Sequence, residues 1–222
     1  MKSAVLFSGG KDSCYATYLM KKEGVDISCL ISILSENCES YMFHTPSISK
    51  VKVQAEVMNL PLIIRKTLGK KEDELKDLEK AIENAISNFK IEGIITGAVE
   101  SVYQKSRIQK ICSRFNLKCF NPIWKKNQFS LLEELIKNNF NILITGVFAY
   151  PLDRSWLGRK IDENFVKDLK HLYEKYKINP AGEGGEFETF VLNCPLFNRE
   201  IKVTKKTVFG NKNSWWLEID AE

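Results

Sequence analysis

Strand-length apolar runs alternate with helix-length amphipathic runs over the first 150 residues, and this alternation restricts the fold more than any other feature of the chain. Residues 3–8, 25–34, 61–68, 93–97 and 117–120 read as strands. Between them, residues 12–23, 47–60, 72–90 and 102–116 read as helices, the third with Leu75, Leu78, Ile82 and Ile86 on one face. A helix over 129–139 leads into a sixth apolar strand, 141–150. Strands joined through helices build βαβ units, so an α/β fold is expected, a mostly parallel sheet with helices on both faces. The pattern changes after Pro151. One helix remains, near 162–176, followed by the turn-rich NPAGEGGEFETF and three strand-like stretches, TFVLNCPLF, IKVTKKTVF and SWWLEI. These suit a smaller C-terminal α+β lobe over 151–222, set against a first domain over 1–150.

Composition narrows the function classes. With 44% hydrophobic and 27% charged residues the chain has the make-up of a soluble globular protein. No apolar run approaches the ~18 residues of a membrane span, so no membrane contact is expected. MKSAVLFSGG lacks a long apolar region with a cleavage site, so no secretory leader is expected either. Acidic and basic residues balance at twelve each over 150–222, and the net +5 sits in residues 1–149, 21 against 16. That surplus is too mild and too scattered for nucleic acid, but it suits a small polyanion such as a nucleotide. The six cysteines form no CxxC and have no histidine at zinc spacing. They read as reduced thiols in a cytoplasmic protein.

In an open parallel sheet, ligands bind beyond the carboxyl ends of the strands, where the strand order reverses. SGGKDS (8–13) follows the first strand, TGAVES (96–101) the fourth and TGVFAY (145–150) the sixth, so these loops are expected on one rim. SGGKDS has the parts of a phosphate cradle. Gly9 and Gly10 let the backbone approach an anion closely. The helix that follows offers free N–H groups and the positive end of its dipole. Ser8 and Ser13 add hydroxyls, and Lys11 adds a cation. Asp12 suits either Mg²⁺ held beside phosphates or a plain first-turn acid. The spacing does not fit the GxxxxGK[ST] loop.

SGGKDS also resembles the PP-loop of the N-type ATP pyrophosphatases, which cleave ATP between its α- and β-phosphates. That resemblance implies a parallel five-stranded sheet of the adenine-nucleotide α-hydrolase type. SYMFHTP (40–46), GAVESVYQKSRIQKIC (97–112), NPIW (121–124), PLDRSWLGRKID (151–162) and NPAGEGGEFETFVLNCPLF (179–197) follow in order. Together with the loop they resemble the diphthine–ammonia ligase family, from about Ser3 to Phe197. NPIW stands where that family commonly has a PLW-type triplet, and Gln109 where an acid is usual; neither touches the phosphate loop. The resemblance implies ATP-dependent amidation of diphthine on translation elongation factor 2. Ammonium supplies the nitrogen, an acyl-adenylate is the intermediate, and AMP and pyrophosphate are released.

Site roles follow from the residues and this resemblance together. Ser8, Gly9, Gly10, Lys11, Asp12 and Ser13 are expected on the ATP phosphates, with Gly97, Tyr103 and Gln104 also on the nucleotide side and Asp12 on Mg²⁺. Arg107, one helical turn beyond Tyr103, is expected to clamp a phosphate or the diphthine carboxylate in bidentate fashion. Glu183, Gly184, Gly185, Glu186 and Glu188 put three acids beside a flexible turn. They read either as a charged loop or as the place where ammonium loses a proton and diphthine's trimethylammonium group is met. Lys11, Asp12, Arg107, Glu183 and Glu186 are the expected catalytic set, and His44 joins the acidic turn on the substrate side. Trp215-Trp216 suits core or subunit interface, which leaves a homodimer open. Two rivals stay open at this level: another PP-loop adenylating enzyme acting on tRNA, and an ATP-binding module without catalysis.

Overall fold

Five strands pair in parallel in the order β3-β2-β1-β4-β5: β1 (Lys2–Leu6), β2 (Asp26–Ser35), β3 (Leu62–Thr67), β4 (Gly93–Ile95) and β5 (Lys118–Phe120). The computed structural model describes residues 1–35, 50–68 and 73–222. The central strands are apolar on both sides, as a doubly covered sheet requires. Val5, Leu30 and Ile95 join one core cluster, while their neighbours Ala4, Ile31 and Ile94 join another. Helices α1 (Lys11–Lys22) and α2 (Val51–Met58) cover the first face. Helices α3 (Asp73–Phe89) and α4 (Val102–Arg114) cover the second, where Leu78 and Ile82 are fully buried as their spacing predicts. After β1 the chain builds outward through β2 and β3, then returns to the other side of β1 with β4. The strand order therefore reverses between β1 and β4, the point at which α/β sheets bind ligands.

A second sheet of four antiparallel strands has the order β7-β6-β9-β8: β6 (Asn141–Val147), β7 (Phe187–Asn193), β8 (Val203–Asn211) and β9 (Ser214–Ala221). This corrects the sequence reading, which grouped strand 141–150 with the parallel sheet. That strand follows α5 (Gln128–Lys137) as a parallel strand would, and it is equally apolar. Nothing in such a run distinguishes two-sided burial in a parallel sheet from burial against a second sheet. A second correction concerns the turn-rich stretch. Turn residues occupy only 179–186, and β7 begins at Phe187, inside the EGGEFET motif.

The two sheets share their largest core. Val5, Phe7, Tyr15 and Met20 of the parallel half belong to the same cluster as Ile142, Val147, Phe187 and Val191 of the antiparallel half, with Phe165 and Leu169 of α6 (Glu163–Tyr176). None of the described helices is long and apolar enough to cross a membrane. Among the described residues, the five cysteines are free thiols.

Candidate active site

β1 ends at Leu6, and Ser8-Gly9-Gly10 turns the chain into α1. Gly9 has φ +81°, and a Cβ there would lie 2.3 Å from Gln54 Oε1, so only glycine fits. Gly10 is the N-cap of α1 and supplies no side-chain cap. Gly10 N donates to Ser8 Oγ at 3.4 Å and Lys11 N to Thr189 Oγ1, so two of the first donors are taken, and the positive dipole end of the 12-residue helix lies behind the loop. Ser13 Oγ donates to the Gly10 carbonyl and accepts from Ser8 N, at 3.1 and 3.3 Å, which holds the loop in a tight curl.

The second sheet grips this loop from outside. Val191 N donates to the Gly9 carbonyl at 3.2 Å, and Lys11 N donates to Thr189 Oγ1 at 3.0 Å. Gln54, fully buried on α2, donates from Nε2 to the carbonyls of both Gly9 and Val191, each at 2.9 Å. Lys11 runs inward beneath β7. Its Nζ bonds Asp12 Oδ2 at 2.7 Å and the Ala181 carbonyl, and it sits 5.7 Å from the centre of the Phe187 ring. The other Asp12 oxygen, Oδ1, is buried and has no hydrogen-bond partner among the described residues.

Two further loops close on this centre. Gly97 packs directly on the phosphate loop: a Cβ there would lie 2.7 Å from Ser13 N and 2.8 Å from Asp12 C. Glu100 N donates to the Glu183 carboxylate at 3.0 Å, which ties the 96–101 loop to the acidic turn. Gln128 completes the tie, donating to Glu100 Oε2 at 3.0 Å and accepting from Ala181 N at 2.9 Å. The acidic turn folds around its own polar groups, with Gly182 and Gly185 at φ +72° and +81°. Asn179 Oδ1 accepts from Ala181 N and Glu183 N, both at 3.1 Å.

The three acids then differ. The Glu186 carboxylate accepts from Asn179 N and Gly184 N, at 3.1 and 2.9 Å, and so closes the turn. Burial, and after it the Asp12 carboxylate, pushes the Glu183 carboxyl above its ordinary range, with Lys11 pulling the other way. Burial alone pushes the Glu188 carboxyl up to about 8. Gly184 and Gly185 stand exposed at the tip. Ser8, Gly10, Lys11, Asp12, Phe187 and Glu188 help line a cavity of about 110 Å³. Pockets that enclose a whole small ligand run to roughly 300–1,000 Å³, so this one suits the phosphate end of a nucleotide.

Not every expected residue is brought here. The Arg107 guanidinium lies 3.4 Å from the centre of the Tyr103 ring, and Arg107 lines a separate groove with Lys76 and Glu79 between α3 and α4. Gln104 lies in the first turn of α4, where its N–H donates to the N-cap Ser101 Oγ at 3.3 Å. His44 lies outside the described residues. Gln54, Gln128 and Thr189 hold the loops together and were not singled out from sequence. Gln54 did leave a signal: a polar residue on a short helix whose other buried positions are Val51, Ala55, Val57 and Met58.

Comparison with known proteins adds three findings. Residues 1–119 match the model of a diphthamide synthase N-terminal domain, and residues 127–221 that of a diphthamide synthase C-terminal domain. The diphthine–ammonia ligase of Bos taurus is 36% identical over 94% of this chain and 85% of its own length. That of Schizosaccharomyces pombe is 34% identical over 100% of this chain and 39% of its own length. Among solved structures, a predicted subunit of tRNA methyltransferase from Methanocaldococcus jannaschii superposes with a TM-score of 0.48 at 17% identity, covering 88% of this chain and 98% of that one.

Proposed function

Because the chain belongs to the diphthine–ammonia ligase family, matching its domain models over 1–119 and 127–221, we propose that it amidates diphthine on translation elongation factor 2, using ATP and ammonium. The observation that carries this reading is the start of α1 behind a glycine curl, with the buried Lys11 paired to Asp12 beneath it. Helix N-termini with free N–H groups bind phosphate, and a cation beside them is worth most where water is excluded. The curl and Lys11 hold the β- and γ-phosphates. The buried, unsatisfied Asp12 Oδ1 is a hard oxygen at the same place, so Asp12 fits Mg²⁺ shared with those phosphates.

ATP supplies the activation. A diphthine carboxylate oxygen attacks the α-phosphorus, pyrophosphate leaves with the bonding electrons, and the acyl-adenylate results. Ammonia then attacks the acyl carbon and AMP leaves. Ammonium has no lone pair, so a base must first take its proton. We assign this step to Glu183; its position at the junction of the acidic turn and the 96–101 loop, and a carboxyl raised above the ordinary range, support the assignment. Glu186 supports it by fixing the turn.

The test is a nucleotide assay on the purified chain with diphthine-bearing elongation factor 2, ammonium and ATP. AMP and pyrophosphate should appear only when acceptor and ammonium are both present. Lys11→Ala should lower kcat/KM roughly 100-fold or more, the usual scale for removing one preorganised charge-stabilising group. ADP as product, or AMP formed equally well without acceptor, would sink the reading.

A further inference from the structure

Gln128 opens α5, yet the helix does not need its side chain to start. Asn127 is the N-cap, and its Oδ1 accepts from Ser130 N at 3.0 Å. The half-buried Gln128 turns its amide toward two loops instead. Its Nε2 donates to Glu100 Oε2 at 3.0 Å, and its Oε1 accepts from Ala181 N at 2.9 Å. Each of those partners touches a second group. Glu100 N donates to the Glu183 carboxylate at 3.0 Å, and the Ala181 carbonyl accepts from Lys11 Nζ. One amide thus reaches Glu183 along one branch and Lys11 along the other.

The base of this fork is firm. Leu131, Leu132 and Leu135 of α5 are fully buried, in the core that also holds Phe165 and Leu169 of α6. Lys125 N, just before the helix, donates to the Val99 carbonyl at 2.7 Å, which anchors the helix start to the 96–101 loop. The two tips of the fork lie in irregular segments, and groups supported from a packed helix hold position better than groups on loops alone. Asn179 Oδ1 also accepts from Ala181 N, at 3.1 Å, but that bond is internal to the acidic turn. Gln128 ties the turn to another element. The tie needs a donor toward the Glu100 carboxylate and an acceptor toward a backbone N–H. An amide offers both, whereas an ionised carboxylate offers only the second and a hydrocarbon offers neither.

We propose that Gln128 is a positioning residue for both half-reactions: through Ala181 it sets Lys11 for acyl-adenylate formation, and through Glu100 it sets Glu183 for the attack of ammonia. The inference rests on the ligase reading above. The two steps call on different groups, and the first is wasted without the second. An adenylate formed while Glu183 is out of place would be open to water rather than ammonia. A shared support joins the two requirements. Gln128 acts through its neighbours and needs no contact with substrate.

Two rates measured on one preparation of the full chain test this. Exchange of labelled pyrophosphate into ATP, with diphthine-bearing elongation factor 2 but no ammonium, reports adenylate formation. Amide formation with ammonium reports the whole reaction. Their ratio does not depend on how much of a variant is folded. Gln128→Met keeps the length and removes both bonds, so both rates should fall roughly tenfold or more, toward the ~100-fold cost of a misplacement of about 1 Å. Gln128→Glu keeps an acceptor for Ala181 N but sets a second carboxylate against Glu100. Amide formation should then fall about tenfold more than exchange. Adding Glu100→Gln swaps donor and acceptor, and the ratio should return to within about threefold of wild type, as a coupled pair does. A residue that only stabilises the fold would leave the ratio unmoved throughout. A wild-type ratio in Gln128→Glu, or one that the swapped pair fails to restore, overturns the proposal. So do unchanged rates in Gln128→Met. A wild-type chain with neither exchange nor amide formation overturns the ligase reading as well, whereas an active wild type with an unmoved ratio in the variants overturns this inference alone.

Discussion

Glu188 keeps its carboxyl in a place where ionisation is costly, and this has a sign that can be measured. Its ordinary value of 4.5 is raised to about 8 by burial in the folded chain. Between those two values the folded state binds the proton and the unfolded state has lost it. Stability must then fall as pH rises through this window, by up to about 1.4 kcal/mol per pH unit from this group. Glu188→Gln removes that slope. Urea midpoints measured at pH 5 and pH 8 should show the variant gaining on wild type at the higher pH. An equal loss for both proteins between those pH values would mean that Glu188 is not titrating as described. The identities of such residues were legible in the sequence, but their division of labour was not. EGGEFET shows three acids; it does not show that Glu186 is consumed by its own turn while Glu188 sits on a strand. Backbone conformation separates them, and a string of glycines and glutamates is compatible with several.

At the level of elements, the phosphate loop is a strand–helix junction clamped by a strand from another sheet. The junction was readable, because SGGKDS carries its own physics. The clamp was not, because Gly9 and Val191, the residues it joins, are far apart in the chain and meet through backbone groups that every sequence possesses. Gln54 joins both carbonyls. Gln54→Leu keeps the volume but removes this donor; the Gly9 carbonyl keeps its Val191 N–H, so the cost is that of about one weakened or unsatisfied acceptor, roughly 1–3 kcal/mol. The midpoint of thermal unfolding should drop, and KM for ATP should rise as the loop loosens. Gly97→Ala should act more locally. Its new methyl group would press on the backbone at Asp12 and Ser13, so nucleotide binding should weaken several-fold more than stability suggests. Normal ATP affinity in Gly97→Ala, measured by calorimetry, would show that the loop yields freely.

On the scale of the whole molecule, two sheets with separate hydrogen-bonding share one apolar core. Neither half can lose its packing without exposing the other, so unfolding should be a single transition. Far-UV dichroism and tryptophan fluorescence should therefore melt together, and ATP with Mg²⁺ should move both to higher temperature by the same amount. Two separated transitions would contradict the shared core. The parallel half was predictable from alternation alone, and the five strands and their helices stand where periodicity put them. The sixth strand was misassigned because an apolar run does not say which sheet will bury it. That misassigned strand has a consequence for what sequence change the molecule can absorb. β6 carries a bulge between Ile144 and Gly146, and this irregularity decides that Gly146, not its neighbour, stands opposite Glu188. Along β7, Thr189 faces the phosphate loop and Glu188 the opposite side. Deleting one residue within Phe187–Val191 would exchange those faces, and deleting Thr145 would remove the bulge that sets Gly146 against Glu188, because strand side chains alternate. Length variation should therefore be purged from this strand pair and tolerated at the β8–β9 turn, so that descendants diverge at the rim while the register beside the cleft stays fixed.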